Sequence, residues 1–186
     1  EAVKAYEHCL AIDPSHPGAL NNHAMALIKL QRWHEALRAL DGVVAKHPQM
    51  TDAWMNRAGV LQALARPQEA LQSMEQVIRL RPGDARALYN AGLILLLLNR
   101  FDDAQQTLSQ ALQIAPNQGD ILANLVSASL RACDWDALES LLPRLLPAVR
   151  DGSVVLAPLS LLALSDDPEL QKRCAQTSTQ RSLASA

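Results

Sequence analysis

Primary amides recur along this chain at one fixed spacing, because Asn22, Asn56, Asn90 and Asn124 follow one another at intervals of 34 residues. A primary amide offers both hydrogen-bond donors and an acceptor. A row of such groups suits pairing with the C=O and N–H groups of an extended polypeptide, without reading its sequence. Asparagine at a repeated position also suits contacts between helices or solubility. The peptide-binding and structural interpretations both stay open at the level of sequence.

Prolines keep the same period as the asparagines, at Pro14, Pro48, Pro82 and Pro116. Two residue types locked to one period indicate internal repeats. Because the residue before a proline avoids the α region, each proline is expected to end a helix. The pattern predicts the second half of a truncated repeat at 1–16, three repeats at 17–50, 51–84 and 85–118, a degenerate repeat at 119–150, and a linker or capping segment at 151–186. We expect the parent protein to carry the missing first half ahead of residue 1.

Each unit is predicted to contain two helices. The first helix carries apolar or small residues at helical spacing, for example Trp54, Ala58 and Leu61. A 34-residue unit with two helices and a closing proline is typical of the tetratricopeptide repeat. The chain resembles that family at Leu20, Ala24, Leu27, Ala36, Leu40 and Pro48, at Trp54, Ala58, Leu61, Ala70 and Pro82, and at Leu88, Gly92, Leu95, Ala104 and Pro116. The resemblance implies an all-α, right-handed superhelical solenoid with a C-terminal helical cap, which binds protein along its inner face.

The last repeat departs from the pattern. Leu138 replaces a small alanine, Ser129 replaces a large apolar residue, and Arg150 replaces the closing proline. Pro143 and Pro147 are expected to interrupt its second helix. Further on, 166–169 reads as a helix start with an Asp cap and a first-turn proline, predicting a short helix to about residue 175 and a frayed end over 177–186.

The first helices are expected to line the inner face of the solenoid. The candidate peptide-binding residues there are Asn22, Asn56, Asn90, Asn124, Asn21, Met55, Tyr89 and Leu93. Tyr89 and Leu93 suit an apolar ligand side chain, and equally suit burial against a neighbouring helix or a second copy. Tetratricopeptide clamps for acidic chaperone tails resemble one another in a Lys directly before the Asn. No Lys precedes any of the four asparagines, so that clamp is not expected.

Composition and the lack of known motifs argue against nucleic-acid binding, membrane insertion, metal binding and catalysis. The chain has 186 residues, a formal net charge of -2 and 3% aromatic residues, which does not favour nucleic acid as a partner. No apolar run approaches the roughly 20 residues that a membrane helix needs. No metal-ligand spacing, phosphate loop or nucleophile motif appears, so we expect no metal, no cofactor and no catalytic residue, and hence not an enzyme. Reduced, partly buried cysteines in a cytoplasmic protein are expected. Homodimerisation through the apolar third repeat stays an alternative.

A second resemblance covers residues 133–175. Cys133-Asp134-Trp135 and the segment 158–168 are similar to the junction ahead of the catalytic domain in bacterial SPINDLY-like proteins of the O-linked N-acetylglucosamine transferase type. That resemblance implies contacts between the four repeated asparagines and a polypeptide substrate. No residue here matches the catalytic lobes of that family. The expectation is a substrate-presenting region of a protein O-glycosyltransferase, with a stand-alone scaffold or adaptor as the alternative.

Overall fold

The computed structural model describes residues 1–184, apart from the side chains of residues 181, 182 and 184. The described residues are all-α and contain no strand, which confirms the predicted fold class. Contacts group the chain into two compact units, 1–98 and 99–186. The first unit contains α1 (Ala2–Ile12), α2 (Pro17–Lys29), α3 (Trp33–Lys46), α4 (Thr51–Ala63), α5 (Pro67–Leu80) and α6 (Ala85–Leu97). The second contains α7 (Phe101–Ile114), α8 (Gly119–Ala132), α9 (Trp135–Asp151), α10 (Pro158–Leu162) and α11 (Pro168–Ala184).

Helices that follow one another in sequence pack side by side throughout the first unit and over α7–α9 of the second. In the first unit every consecutive pair from α1 to α6 is in contact, and α2 also contacts α4. In the second unit α8 contacts both α7 and α9, and α11 contacts α9 and α10. Small side chains allow close crossings in the first unit: Ala24, Ala36 and Ala70 are fully buried. The core is therefore built from alanines at the crossings and leucines between them.

A left-handed residue ends the first helix of each predicted repeat, at Gln31, Ala65, Asn99 and Cys133, whose φ angles are 55–57°. Behind Ala65 the chain turns as in a Schellman motif, in which Ala65 N–H donates to Gln62 O and Arg66 N–H donates to Leu61 O. This conformation normally favours glycine, since a Cβ costs about 1–2 kcal/mol there. The turn tolerates that strain because its hydrogen bonds satisfy the last carbonyls of the helix.

The prolines end helices as the sequence predicts. Each of Pro14, Pro48, Pro82 and Pro116 lies two residues beyond the last residue of α1, α3, α5 and α7. The residue before each proline has ψ between 66° and 91°, outside the helical region. Where Arg150 stands in place of the proline, α9 runs for 17 residues instead of 14 and ends at Asp151, capped by Gly152 with φ 83°.

The expected interruption of the helix by Pro143 and Pro147 is wrong. The helix α9 continues through both residues. The two prolines are exposed and lie four residues apart, hence on one face. The carbonyls they leave without a helical partner belong to the exposed residues Glu139 and Pro143, where water can satisfy them. Burial of Leu138, Leu145 and Val149 on the opposite side holds the helix together.

The C-terminal segment is more ordered than the sequence suggests. Asp167 caps α11 as predicted, because its Oδ1 accepts from the N–H groups of Glu169 and Leu170 at 3.1 Å. The helix does not end near residue 175 but continues to Ala184, so the expected frayed end over 177–184 is wrong. The last two residues lie outside the described residues. Leu170 and Cys174 are buried, and they anchor α11.

The three cysteines are free, but Cys9 and Cys133 are exposed rather than partly buried. Cys174 alone is buried among them, and its Sγ donates to Leu156 O at 3.4 Å. Burial raises the pKa of the Cys174 thiol. Its protonated form therefore favours the folded state, and this contribution is lost as the pH rises through the raised pKa.

The cysteines give a test of the C-terminal packing. Alkylation requires the thiolate, so iodoacetamide should modify Cys9 and Cys133 first and Cys174 only after unfolding. Mass spectrometry of the intact chain at pH 8, with and without urea, measures the order. Equally fast modification of Cys174 in the native protein would contradict the burial of α11.

We expect replacement by alanine to have opposite effects on stability at two glycines that lie in helices. A Cβ on Gly119 would lie 2.5 Å from Ser153 O, whereas nothing lies within 4 Å of a Cβ on Gly42. We expect Gly119→Ala to lower the free energy of unfolding by about 1–3 kcal/mol. Gly42→Ala should raise it by about 0.5–1 kcal/mol through helix propensity. Urea denaturation of both variants measures the difference, and a gain in both would contradict the close approach at Gly119.

Candidate functional site

In the first unit, the first helix of each repeat is α2, α4 or α6, and these three helices carry polar and apolar side chains at equivalent positions. We call this set of residues the amide face; it consists of Asn21 and Asn22 on α2, Met55, Asn56 and Gly59 on α4, and Tyr89, Asn90 and Leu93 on α6. Helical spacing places the members from each helix on adjacent positions of one side. Asn22 and Gly59 are exposed and the other members are half-buried.

A hydrogen bond joins two amides of this face. Asn56 Nδ2 donates to Asn21 Oδ1 at 3.0 Å, which links α4 to α2. The bond uses one of the two donors of Asn56 and the carbonyl of Asn21. Asn56 Oδ1 and the Asn21 NH2 group consequently keep hydrogen-bonding capacity, and the two side chains hold each other in one orientation.

The other repeated asparagines have different surroundings. Among the described residues, neither Asn22 nor Asn90 forms a side-chain hydrogen bond. Asn124 lies on α8 in the second unit, half-buried, and its Nδ2 donates to Asp120 O at 2.8 Å within that helix. The structure thus brings Asn22, Asn56 and Asn90 together in one unit with Asn21, Met55, Tyr89 and Leu93, and describes Asn124 in the other.

A cation lies next to the amide face that sequence analysis did not single out. Arg86 Nη2 contacts Met55 Sδ at 2.9 Å, and this contact joins α6 to α4. Arg86 is exposed, so its guanidinium keeps further donors for a ligand carbonyl or carboxylate. Its position three and four residues before Tyr89 and Asn90 was the available signal, since that spacing puts it on the same side of the helix.

A polar network holds α4 in place. Arg57 Nε donates to Asp41 Oδ1 at 2.7 Å, and Arg57 Nη1 donates to Ser73 Oγ at 2.8 Å. The fully buried Ser73 in turn donates to Glu69 O at 3.0 Å. The Arg57 guanidinium also lies 5.9 Å from the ring centroid of Trp54. One side chain of α4 is therefore tied to both α3 and α5.

An arginine directly before α3 and another directly before α5 each pair with a glutamate in the first turn of the helix that follows. Arg32 donates twice to Glu35 at 2.7 and 2.6 Å, and Arg66 donates twice to Glu69 at 2.6 and 2.7 Å. These hydrogen bonds lower the pKa of both carboxyls. The carboxylates therefore favour the folded state above their ordinary pKa, and this contribution is lost as the pH falls. In the described residues no cluster of His, Cys, Asp and Glu is arranged to hold a metal ion.

We expect replacement of Arg57 to affect stability more than replacement of Arg32, because the two arginines differ in burial and in number of partners. The Arg57 side chain is 17% exposed and bridges three helices, whereas that of Arg32 is 45% exposed and pairs within one turn. Arg57→Met should lower the free energy of unfolding by about 1–3 kcal/mol, because the fully buried Ser73 hydroxyl loses a charged hydrogen bond and Asp41 loses its ion pair. Arg32→Met should leave stability nearly unchanged. Chemical denaturation compares them, and equal effects would contradict a structural role for Arg57.

A tetratricopeptide repeat family model matches residues 1–60 and 61–118. The chain belongs to the tetratricopeptide repeat family. No curated protein matches the chain significantly. No helix in the described residues is both long and apolar enough to cross a membrane.

Solved structures with the same fold include MamA 41-end from Desulfovibrio magneticus RS-1, at TM-score 0.71 and 20% identity over 80% of this chain and 84% of that one. TTC0263, a thermophilic TPR protein in Thermus thermophilus, has TM-score 0.59 and 24% identity over 95% and 89%. YrrB, described as a TPR protein with an unusual peptide-binding site, has TM-score 0.67 and 16% identity over 94% and 81%. At these identities the likeness concerns the fold.

Proposed function

We propose that this chain is a protein-interaction module that binds an extended polypeptide on the amide face. The observation that carries the proposal is the Asn21–Asn56 pair, which holds two amides in a fixed orientation with unused capacity. Asn56 Oδ1 accepts a backbone N–H of the ligand, and the Asn21 NH2 group donates to a backbone C=O. Asn22 and Asn90 extend the row along α2 and α6. Family membership supports this role, as does the peptide-binding site described for YrrB.

The chemistry of the face sets the expected affinity. A hydrogen bond contributes roughly 0.5–1.5 kcal/mol net. After the cost of association, a few amide contacts therefore give a Kd of about 1 mM or weaker. Tyr89, Leu93 and Met55 add apolar contact beside the amides, and Arg86 adds a positive charge. The expected ligand is therefore a polypeptide with an apolar side chain among neutral or acidic residues. Binding is broad and transient, and gains strength from multivalency.

The wider role that we propose is presentation of a protein substrate to a glycosyltransferase domain in a longer, cytoplasmic protein. Its support is the resemblance of residues 133–175 to the junction ahead of that domain. In this role the chain itself carries no catalytic residue. If the parent gene continues into alternating strands and helices with glycine-rich loops, the role is supported. A parent that ends near residue 186 would instead favour a stand-alone scaffold.

Self-association is the second candidate, and exposure of Leu97 at 61% favours it. A second copy would cover this apolar end of α6 as a ligand would. Light scattering over a hundredfold concentration range tests it. Dimer formation that Leu97→Ser abolishes would support self-association, and a monomer throughout would exclude it.

Two glycines provide a matched test of the amide face. Gly59 on α4 and Gly42 on α3 both lie inside helices at exposed positions, and nothing lies within 4 Å of a Cβ on either. Leucine at each position gives the same gain in helix propensity. Gly59→Leu fills the face, and we expect it to weaken peptide binding at least tenfold. Gly42→Leu should leave binding unchanged.

The probe is a pool of capped hexapeptides, and the readout is 1H–15N shift perturbation of the whole chain. Asn21→Ala/Asn56→Ala should weaken binding about three- to tenfold, as expected for the loss of one or two hydrogen bonds. Shifts on α2, α4 and α6 that persist unchanged in this double variant and in Gly59→Leu would refute the proposal. So would the absence of any shift at millimolar peptide.

A further inference from the structure

We propose a second binding site in the second unit, between α7 and α9, which takes an uncharged polypeptide segment bearing a small polar side chain. The space there is a cavity of about 510 Å³. We call it the glutamine pocket and define it by Gln105, Gln106 and Gln110 on α7, Leu125 and Ser129 on α8, and Leu141 on α9. The volume falls within the roughly 300–1,000 Å³ of ligand pockets.

The pocket originates in one departure from the repeat. The position of Ser129 corresponds to Leu27, Leu61 and Leu95 in the earlier repeats, all of which are 5% exposed or less. Replacing a buried leucine by serine removes side-chain volume and brings a hydroxyl into the core. Ser129 is completely buried, and its Oγ has no hydrogen-bond partner among the described residues. A buried hydroxyl without a partner is costly. Because this hydroxyl has no accessible surface in the described conformation, a ligand group reaches it only when the side chains that cover it move aside, and pairing with it then offsets that cost.

The walls are built from primary amides. Gln106, Gln110 and Gln113 follow one another at helical spacing on α7, and their exposed side chains line the opening. Gln105 is held in place by its Nε2, which donates to Asp134 Oδ2 at 2.7 Å. Asp134 also caps α9 by accepting from Ala137 N–H, so it is itself fixed. Gln105 Oε1 remains as an oriented acceptor in the lining of the pocket.

The lining selects the class of ligand. Asp102 is the one charged side chain among the described lining residues, which disfavours anions and gives no partner for an acidic ligand. No aromatic ring lies in the described lining, so there is no stacking surface for a sugar or a base. Leu125, Leu141 and Ala137 make an apolar floor around the Ser129 hydroxyl. A serine, threonine or asparagine side chain complements that floor, while the glutamines pair with the ligand backbone.

The glutamine pocket is separate from the amide face. Every residue that lines it belongs to the second unit, whereas the amide face belongs to the first. On α8 itself, Leu125 and Ser129 lie about 100–140° around the helix from Asn124, at 3.6 residues per turn. The inference therefore does not depend on the function proposed for the amide face.

The test uses the whole chain and capped hexapeptides built from glycine, serine, threonine and asparagine. We expect shift perturbations at residues 105–113, 129 and 140–141. Ser129→Leu restores the leucine of the other repeats and fills the cavity, so it should weaken these perturbations at least tenfold while the chain stays folded. Ser129→Ala keeps the space but removes the hydroxyl, and should weaken binding about three- to tenfold.

A second pair of variants covers the case in which Ser129→Leu fails to fold. Gln106→Ala removes an exposed amide of the pocket, and Gln72→Ala removes the corresponding exposed amide of α5, 34 residues earlier. Gln106→Ala should weaken binding several-fold, and Gln72→Ala should have no effect. Asn56→Ala, on the amide face, should also leave the pocket shifts unchanged.

Three results would overturn the inference. The first is the absence of pocket shifts with any hexapeptide at 10 mM, which would mean that ordered water satisfies Ser129. The second is stronger perturbation of the pocket by glucose than by the peptides, which would assign it to carbohydrate. The third is equal peptide binding by wild type, Ser129→Leu and Gln106→Ala.

Discussion

Close crossing of paired helices is the constraint on which the rest of the first unit depends. Two helices approach closely only where the side chains between them are small, and α2 and α3, which pack together, carry the fully buried Ala24 and Ala36. The turn at Gln31 reverses the chain so that α3 packs against α2. With the crossings fixed, α2 and α4 come into contact, and their polar residues form a continuous surface. The amide face is thus a consequence of how the alanines pack.

In the second unit, two positions of the last repeat that carry small side chains in the earlier repeats hold larger ones, and this changes the packing there. Val126 and Leu138 stand where the earlier repeats carry small residues, and both are buried. Larger side chains at a crossing need more space between helices, while Ser129 fills less space than the leucine it replaces. The Arg57 network of the first unit shows the opposite case, since one side chain there joins three helices. We therefore attribute the glutamine pocket to these changes in side-chain size in the last repeat.

The repeated fold was predictable because its signals are local. The prolines end α1, α3, α5 and α7 through the backbone of one preceding residue, and Asp167 caps α11 through its own side chain. The course of α9 through Pro143 and Pro147 was not predictable, because burial of Leu145 and its neighbours outweighs helix propensity. Of the candidate site, the sequence predicted the positions of its residues but not the contacts between them. The Asn21–Asn56 bond joins residues 35 apart, and nothing in the local sequence signals it.

The repeated asparagines occupy equivalent positions in sequence, but packing gives them different exposure and different hydrogen-bond partners. Asn22 is exposed, Asn56 is held by a neighbouring helix, and Asn124 bonds to its own helix at Asp120. An amide already held in one orientation loses less freedom on binding than an unrestrained one. If the amide face binds a polypeptide as we propose, Asn56 therefore contributes more to binding than the exposed Asn22. The same reasoning applies to Gln105, which Asp134 orients while Gln106 and Gln110 stay exposed. In both proposed sites, an amide held by a hydrogen bond lies beside exposed amides, and we expect the held amide to be the first to orient a bound polypeptide.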